Sequence, residues 1–120
     1  MKTLKMTKAI YNLLDKTPLH SQDGNKDAKV ICKVFNPYGA GSWYILEAEK
    51  QENGDYRCFG LVSLHETELG YFMLSDLLNT RIRVWGVSLP LERDLYFNGT
   101  LRDAYKDCGA SDIYNAMYAA

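Results

Sequence analysis

The chain lacks the features that mark several classes of protein. Its 120 residues contain three cysteines and two histidines, and no two cysteines stand in a CxxC pair. This spacing excludes the usual disulfide framework and zinc knuckle, and fits reduced thiols in the cytoplasm. No apolar run approaches the length of a membrane span, and polar residues interrupt the N-terminal segment where a secretory signal would be apolar. We therefore expect a cytoplasmic protein with no exported form.

The chain also lacks a strong charge of either sign. Its formal net charge is -1, which gives no global field to attract nucleic acid or an anionic membrane. What it has is an ordinary globular composition, with 47% hydrophobic and 24% charged residues. A chain of this length is sufficient for one core. We expect a single domain over residues 1–120 that folds unaided.

Hydrophobic spacing predicts a helix at the start of the chain. The apolar residues of the segment 4–14 recur as on one face of a short amphipathic helix, which begins at Thr3 or Thr7 and ends before Pro18. Residues 20–27 are polar and contain glycine, so they predict an exposed loop.

Three strands follow, because the period changes to near alternation of apolar residues. The turn sequences between them are NPYGAG and an Asn-Gly pair, both typical of hairpins. The predicted strands are 28–35, 42–50 and 56–64. Consecutive strands joined by short turns predict an antiparallel meander.

The segment LHETELGYFMLSDLL, residues 64–78, combines a histidine, two acids, a glycine and two aromatic residues. We interpret it as a strand end, a corner at Gly70 and a short helix over 74–78, with Tyr71, Phe72 and Leu74 directed into the core.

Residues 81–97 alternate again, and Pro90 favours an edge strand or a turn, which predicts a fourth strand or an extended segment. Two short helices are predicted after residue 100, the second capped by Ser111. The expected fold class is therefore α+β: an antiparallel β-meander of three to five strands, flanked by an N-terminal helix and short C-terminal helices.

Candidate catalytic residues surround the HETEL sequence. Glu66 and Glu68 are two apart, which places both on one face of a strand, where carboxylates share a proton, bind a cation or divide acid and base roles. His65 adjoins them, and Arg93 would stabilise charge in a hydrolase or nuclease-like enzyme. The commoner fate of such acids is exposure at a strand end, and Arg93 has an architectural alternative in an ion pair with Glu47, Glu66 or Glu68. HETEL lacks the second histidine of a zinc-binding HExxH helix, so neither a metal nor a cofactor is expected.

Candidate binding residues are aromatic or charged. Trp43 and Tyr44 alternate on one strand, so one faces the core and the other is a contact candidate. The set consists of Trp43, Tyr44, Glu47, Tyr71, Arg93, Tyr114 and Tyr118. Tyr114 and Tyr118 recur near the C-terminus and either pack on the sheet or form a partner surface.

Three longer stretches, VFNPYGAGSWYILEAE, FGLVSLHETELGYFMLSDL and PLERDLYF, resemble a small bacterial family known only as a domain of unknown function. The resemblance covers roughly residues 4–97, leaving 98–120 as a C-terminal helical extension. The positions that carry it are Phe35, Pro37, Trp43, Glu47, Phe59, Gly60, Glu68, Leu69, Gly70, Tyr71, Phe72, Leu74, Glu92, Arg93, Asp94 and Phe97. Proteins of this kind are commonly carried by plasmids, integrative elements and phages, so the resemblance implies an accessory role in mobile DNA and assigns no activity.

These observations leave three hypotheses. The first is a non-enzymatic binding protein of a mobile element that contacts a host or defence protein, for example as an anti-defence inhibitor. The second is the hydrolase or nuclease-like enzyme. The third is binding of single-stranded nucleic acid, which the near-neutral charge disfavours; its residues would be Trp43 or Tyr44 with Lys29, Lys33, Arg81 and Arg83. The oligomeric state stays open.

Overall fold

The computed structural model describes residues 3–118 and confirms the predicted α+β class. In chain order the elements are α1 (Lys8–Lys16), β1 (Cys32–Phe35), β2 (Ser42–Lys50), β3 (Tyr56–Ser63), β4 (Thr67–Met73), α2 (Leu74–Asn79), β5 (Arg81–Val84), β6 (Val87–Pro90), β7 (Glu92–Arg93), α3 (Leu101–Asp107) and α4 (Ser111–Tyr118). Five strands form an antiparallel sheet in the order β4-β3-β2-β1-β7, and β5 pairs with β6 in a second sheet. The predicted meander is β1-β2-β3, extended by β4.

The sheet is covered on both faces. Val34 and Ile45 pack with residues of α1 and α2 on one side, which we call the α1 face. Tyr44 and Leu61 pack with residues of α3 and α4 on the other side, the α3 face. Because successive side chains of a strand point to opposite faces, the central strand β2 is apolar on both, and this explains its nearly continuous hydrophobic sequence.

The N-terminal helix matches the prediction. Thr7 is its N-cap, and the Thr7 hydroxyl accepts a hydrogen bond from the Ile10 N–H at 3.2 Å. Ile10 and Leu14 are its buried residues, and the helix ends at Lys16, before Pro18. The burial of these two side chains fixes α1 against the sheet.

The predicted corner at Gly70 is wrong. The chain turns at residues 64–66 instead, and Gly70 lies in the middle of β4, directly opposite Gly60 of β3. A glycine does not end a strand whose neighbour offers a complete hydrogen-bonded ladder. The helix predicted after it is present as α2, but Tyr71 is exposed rather than directed into the core, because it lies on the edge strand.

A β-bulge in β2 changes the direction of one carboxylate. Ile45 pairs with Gly60 and Glu47 with Phe59, which leaves Leu46 as the extra residue. Leu46 and Glu47 therefore both point to the α3 face. The bulged backbone lies so close to Gly60 that a Cβ there would overlap the carbonyl oxygen of Tyr44. Glycine at position 60 is thus a condition for the bulge.

Residues 81–97 form three short strands rather than one. The hairpin β5–β6 is joined by the two-residue loop Trp85-Gly86, and β7 returns to the main sheet beside β1. Pro90 ends β6, consistent with its lack of an N–H donor. This arrangement places Arg93 on the edge of the sheet opposite β4.

The two predicted C-terminal helices are present. Thr100 and Asp103 form a capping box at the start of α3, and Gly109, with φ of 77°, links α3 to α4. Ser111 is the first residue of α4. Among residues 3–118 no helix has the length and apolar content needed to cross a membrane.

Candidate functional site

The HETEL residues lie together but are not organised for catalysis. His65, Glu66 and Glu68 are all exposed, and with Val62 and Leu64 they line an open depression of about 280 Å³. Glu66 belongs to the turn and only Glu68 to β4, so the two carboxylates do not share a strand face as predicted. Within the described residues no hydrogen bond connects the three side chains, and a general base needs such positioning.

Arg93 does not join them. The cross-strand pairs form a single row on the α1 face, Arg93–Val34–Trp43–Val62–Glu68, which runs from one edge of the sheet to the other. Four strand spacings separate its ends by roughly 19 Å. The predicted ion pair of Arg93 with Glu66 or Glu68 and the convergence of an active site are therefore both wrong.

Glu47 is an internal anchor. It is 2% exposed, and its carboxylate oxygens accept hydrogen bonds from the backbone N–H groups of His20 and Gln22, each at 2.8 Å. The bulge directs Glu47 to the α3 face, whereas Arg93 lies on the α1 face, so the alternative ion pair between them is also wrong. Glu47 holds the loop 20–27 against the sheet.

Two tyrosines proposed as contacts are also internal. Tyr44 and Tyr114 are buried in the core of the α3 face, which removes them, together with Glu47, from any contact surface. Trp43 is half-buried on the α1 face, so the core member of the Trp43–Tyr44 pair is Tyr44. Tyr118 is half-buried, its ring 4.7 Å from that of Tyr114.

Tyr71 is exposed beside two neighbours on the α3 face. The guanidinium of Arg57 lies 4.4 Å from the Tyr71 ring centre, and the Phe59 ring 5.0 Å from it. These contacts orient the ring without burying it, so Tyr71 keeps its accessible surface.

A polar network that sequence reasoning missed joins β1 to α3. The Lys33 ammonium donates to Asp94 at 3.2 Å and to Asp107 at 2.6 Å, and the Tyr44 hydroxyl donates to Asp107 at 2.7 Å. Burial lowers the pKa of Lys33, but the two aspartates outweigh it and raise the pKa above its usual range. Burial, followed by the hydrogen bond to Asp107, raises the pKa of Tyr44. The network locks α3 onto the sheet, and its members lie too far apart in sequence for any motif to reveal it.

The cations of the nucleic-acid hypothesis do not form a binding face. Lys33 is held by the two aspartates, Lys29 donates to Asn98, and Arg81 donates to Ser88. Arg83 lies on the separate hairpin. A groove for nucleic acid requires cations free to follow a backbone, and these are dispersed.

The environment of two cysteines, Cys32 and Cys58, makes their thiols unreactive. Burial is the main cause that raises the pKa of Cys32 and of Cys58 to about 12 in each case, which suppresses the thiolate that acts as nucleophile. No group of three potential metal ligands occurs in the described part of the chain.

The tip of the β5–β6 hairpin is the most exposed apolar feature. Trp85 is 98% exposed and has φ of 56°, followed by Gly86 with φ of 79°. Two central residues with positive φ are typical of a type I′ turn, where Asn-Gly is preferred and a bulky side chain is strained. The sequence signal was present, since Trp-Gly separates two alternating segments by two residues.

A groove lies at the β7 edge of the main sheet. It has a volume of about 530 Å³ and is lined by residues 3–5, Tyr38, 89–93 and Leu95. We call it the Arg93 groove. Leu95 is 71% exposed on its rim, and Arg93 is half-buried in its wall.

These features define a small α+β protein with exposed aromatic and apolar residues at the hairpin tip and on the rim of the Arg93 groove. The chain belongs to the family described as "Protein of unknown function (DUF2958)", which matches residues 4–107. The match extends past the resemblance expected to end near residue 97 and includes α3, leaving α4 outside. Neither the curated proteins nor the solved structures give a match to the chain.

Proposed function

We propose that this chain is a non-enzymatic binding protein that acts through protein–protein contacts, with Trp85 at the centre of one contact surface. The observation that carries the proposal is the state of Trp85. A non-glycine residue in the left-handed region costs about 1–2 kcal/mol, and an exposed indole gains nothing from burial. The backbone conformation at Trp85 therefore lowers the stability of the free protein, and no burial of the indole offsets that cost.

Tryptophan at such a position is the residue type that dominates binding energy in protein interfaces. Trp, Tyr and Arg are enriched among hot spots because they combine large contact area with polar or charged atoms. Val87, the first residue of β6, is also exposed beside the tip. Both strands of the hairpin hold the backbone of the tip in place through their pairing, so a partner meets an indole carried on a preorganised backbone.

The proposal also includes the cellular role in which the protein would act. The resemblance to proteins of plasmids, integrative elements and phages supports an accessory role in mobile DNA inside the bacterial cytoplasm. One concrete form is an inhibitor or regulator that binds a host defence protein. The HETEL residues lie far from Arg93, so the enzymatic alternative has no organised site. The dispersed cations disfavour the binding of nucleic acid.

Affinity capture from a bacterial lysate tests the proposal. We expect the wild-type protein to retain a specific partner and Trp85→Asn to retain at least ten-fold less, because loss of a hot spot costs about 2 kcal/mol or more. Leu64→Asn is the matched control, since Leu64 is an exposed apolar residue in a turn at the opposite edge of the sheet. Equal capture by the wild-type and Trp85→Asn proteins, or no specific partner at all, contradicts the proposal.

The anti-defence form has its own assay. Expression of the wild-type protein in a host with a defined defence system should raise the efficiency of phage plating or plasmid entry, and Trp85→Asn should not. An unchanged efficiency across a panel of such hosts removes this form and leaves the binding proposal to the capture experiment.

A further inference from the structure

We infer that the Arg93 groove binds a partner peptide in which a carboxylate is flanked by apolar side chains, with Arg93 as the carboxylate contact. The inference rests on the proposed binding function and names the chemistry of the partner.

The first argument is that the positive charge of Arg93 has no partner among the described residues. No ion pair or hydrogen bond to its guanidinium occurs among residues 3–118, although Arg93 as a residue is half-buried and lines the groove. Lys33, on the adjacent strand β1, shows the opposite state, because two aspartates hold its ammonium. Charges that leave water are normally paired, and a planar guanidinium favours a bidentate carboxylate.

The surroundings of Arg93 are positive rather than neutralised. Lys5 lies on the same groove from the N-terminal segment. Glu92 also lines it, but the strand register places Glu92 opposite Phe35 and Arg93 opposite Val34, so their side chains leave β7 on opposite faces. The three charged residues of the lining, Lys5, Glu92 and Arg93, give the groove a formal net charge of +1, which favours an anionic group.

Apolar surface flanks this charge. Leu91 is buried at the base, and Tyr38 and Leu95 are exposed on the rims. A peptide with apolar residues on both sides of an acid covers these rims while its carboxylate reaches Arg93. An inorganic anion or an isolated carboxylate would leave them in water.

The groove lies at the base of the hairpin whose tip carries Trp85. Strand β6 runs from Val87 beside the tip to Pro90 in the groove, so Trp85 and Leu89 are four residues, or roughly 13 Å, apart along the chain. One partner can therefore contact both. The edge strand β7 also pairs only with β1 in the described structure, which leaves one side of its backbone open to an added strand.

Selection from displayed nonapeptide libraries tests the inference directly. One library fixes Asp at its centre, a second fixes Asn there, and a third presents apolar residues before a free C-terminal carboxylate. The immobilised proteins are the wild type, Arg93→Gln and the control Arg57→Gln, whose arginine lies on the α3 face beside Tyr71. Equal thermal unfolding of the three proteins confirms that each is folded.

We expect the wild type and Arg57→Gln to enrich carboxylate peptides with apolar neighbours, and Arg93→Gln to bind the enriched peptides about 10-fold or more weakly. Enrichment of the first library supports the inferred acidic side chain flanked by apolar residues, whereas enrichment of the third library alone would indicate a chain terminus and overturn the inference. No enrichment over the Asn library, or enrichment that Arg93→Gln retains, overturns the inference.

The outcome is separable from the proposed function. If lysate capture depends on Trp85 but not on Arg93, the binding function stands and the groove inference fails. If peptide selection depends on Arg93 while lysate capture ignores Trp85, the peptide site stands and the hairpin tip loses its role.

Discussion

The loop around His20 and the hairpin tip at Trp85 use the same unfavourable backbone conformation in different ways. Both residues are non-glycine with positive φ, 71° and 56°. In the loop, the His20 N–H donates to Glu47 at 2.8 Å and the His20 ring Nδ1 lies 2.9 Å from Asp23. At the tip, Trp85 has no ring or cation contact within the described residues and is almost fully exposed.

The contacts within the fold account for the positive φ of His20 but not for that of Trp85. The strain at His20 is offset by hydrogen bonds that close a loop over the sheet, so its conformation follows from stability. The strain at Trp85 is offset by nothing in residues 3–118. Strained residues without a structural cause are concentrated at functional sites, and this is why we place the contact surface at the tip.

The largest effect is expected at the bulge that directs Glu47 to the loop. Gly60→Ala places a Cβ against the Tyr44 carbonyl, and we expect it to lower the free energy of unfolding by about 3 kcal/mol or more, or to prevent folding. Chemical denaturation measures this. Gly70→Ala is the control, because Gly70 is the cross-strand partner and has open space at its Cβ position; an equal loss in both variants would contradict the bulge.

The next largest loss of stability is expected when the Glu47 carboxylate, which anchors the loop 20–27, is removed. Glu47→Ala leaves the backbone N–H groups of His20 and Gln22 without their acceptors and creates a void, and we expect a loss of about 2–4 kcal/mol in urea denaturation. Glu49→Ala, an exposed glutamate two residues further along β2, should change stability by less than about 0.5 kcal/mol. Comparable losses at the two positions would show that the loop does not depend on Glu47.

The Lys33 network should give a smaller, pH-dependent effect. Burial raises the pKa of Asp94, but the Tyr96 N–H and Lys33 outweigh it and hold that pKa below its usual range. The ionised carboxylate therefore stabilises the fold above the unfolded pKa of about 4, and this contribution is lost as the pH falls through the folded pKa. We expect Asp94→Asn to be roughly 1 kcal/mol less stable at neutral pH.

The measurement for this variant is urea denaturation across the acid range. The curves of the wild type and Asp94→Asn should converge as the pH falls, because both then carry a neutral side chain. Lys33 gives the opposite dependence at alkaline pH. Because the pKa of Lys33 is raised in the folded protein, its charged ammonium stabilises the fold at neutral pH, and this stability is lost as the pH rises through that pKa. If the stability curves of the wild type and Asp94→Asn stayed parallel at every pH, the stability of the fold would not be linked to ionisation of this network.

The smallest effect has the opposite sign. Asn adopts the left-handed region more readily than Trp and is preferred at the first position of a type I′ turn. We therefore expect Trp85→Asn to raise the free energy of unfolding by roughly 1 kcal/mol. Val87→Asn, which replaces a β-branched residue in a strand, should not stabilise the protein.

Sequence reasoning found what depends on local patterns. The N-terminal helix, the meander and the two C-terminal helices follow from spacing and turn residues close together in the chain. The corner at Gly70 failed because a glycine signal was taken as a chain reversal, whereas pairing with β3 kept the strand intact. The expectation of a fourth strand or an extended segment over 81–97 missed the β5–β6 hairpin because Trp-Gly was not recognised as a hairpin loop.

The site residues were harder to predict, because their roles depend on which face and which edge they occupy. Strict alternation along β2 would place Glu47 on the α1 face with Ile45; the bulge directs it to the α3 face instead, and no local pattern marks that bulge. Arg93 and Glu68 share one row of the sheet, but at opposite ends. Only the strand order, which depends on long-range pairing of β7 with β1, separates them.

The most direct test of the account measures thermal unfolding and partner capture on the same Trp85→Asn protein. The account predicts a melting temperature higher by roughly 3–5 °C together with loss of the captured partner, since the residue would then reduce stability and supply binding. A variant that melts lower than the wild type, or that retains the partner in full, would contradict the claim that the hairpin tip is a binding surface.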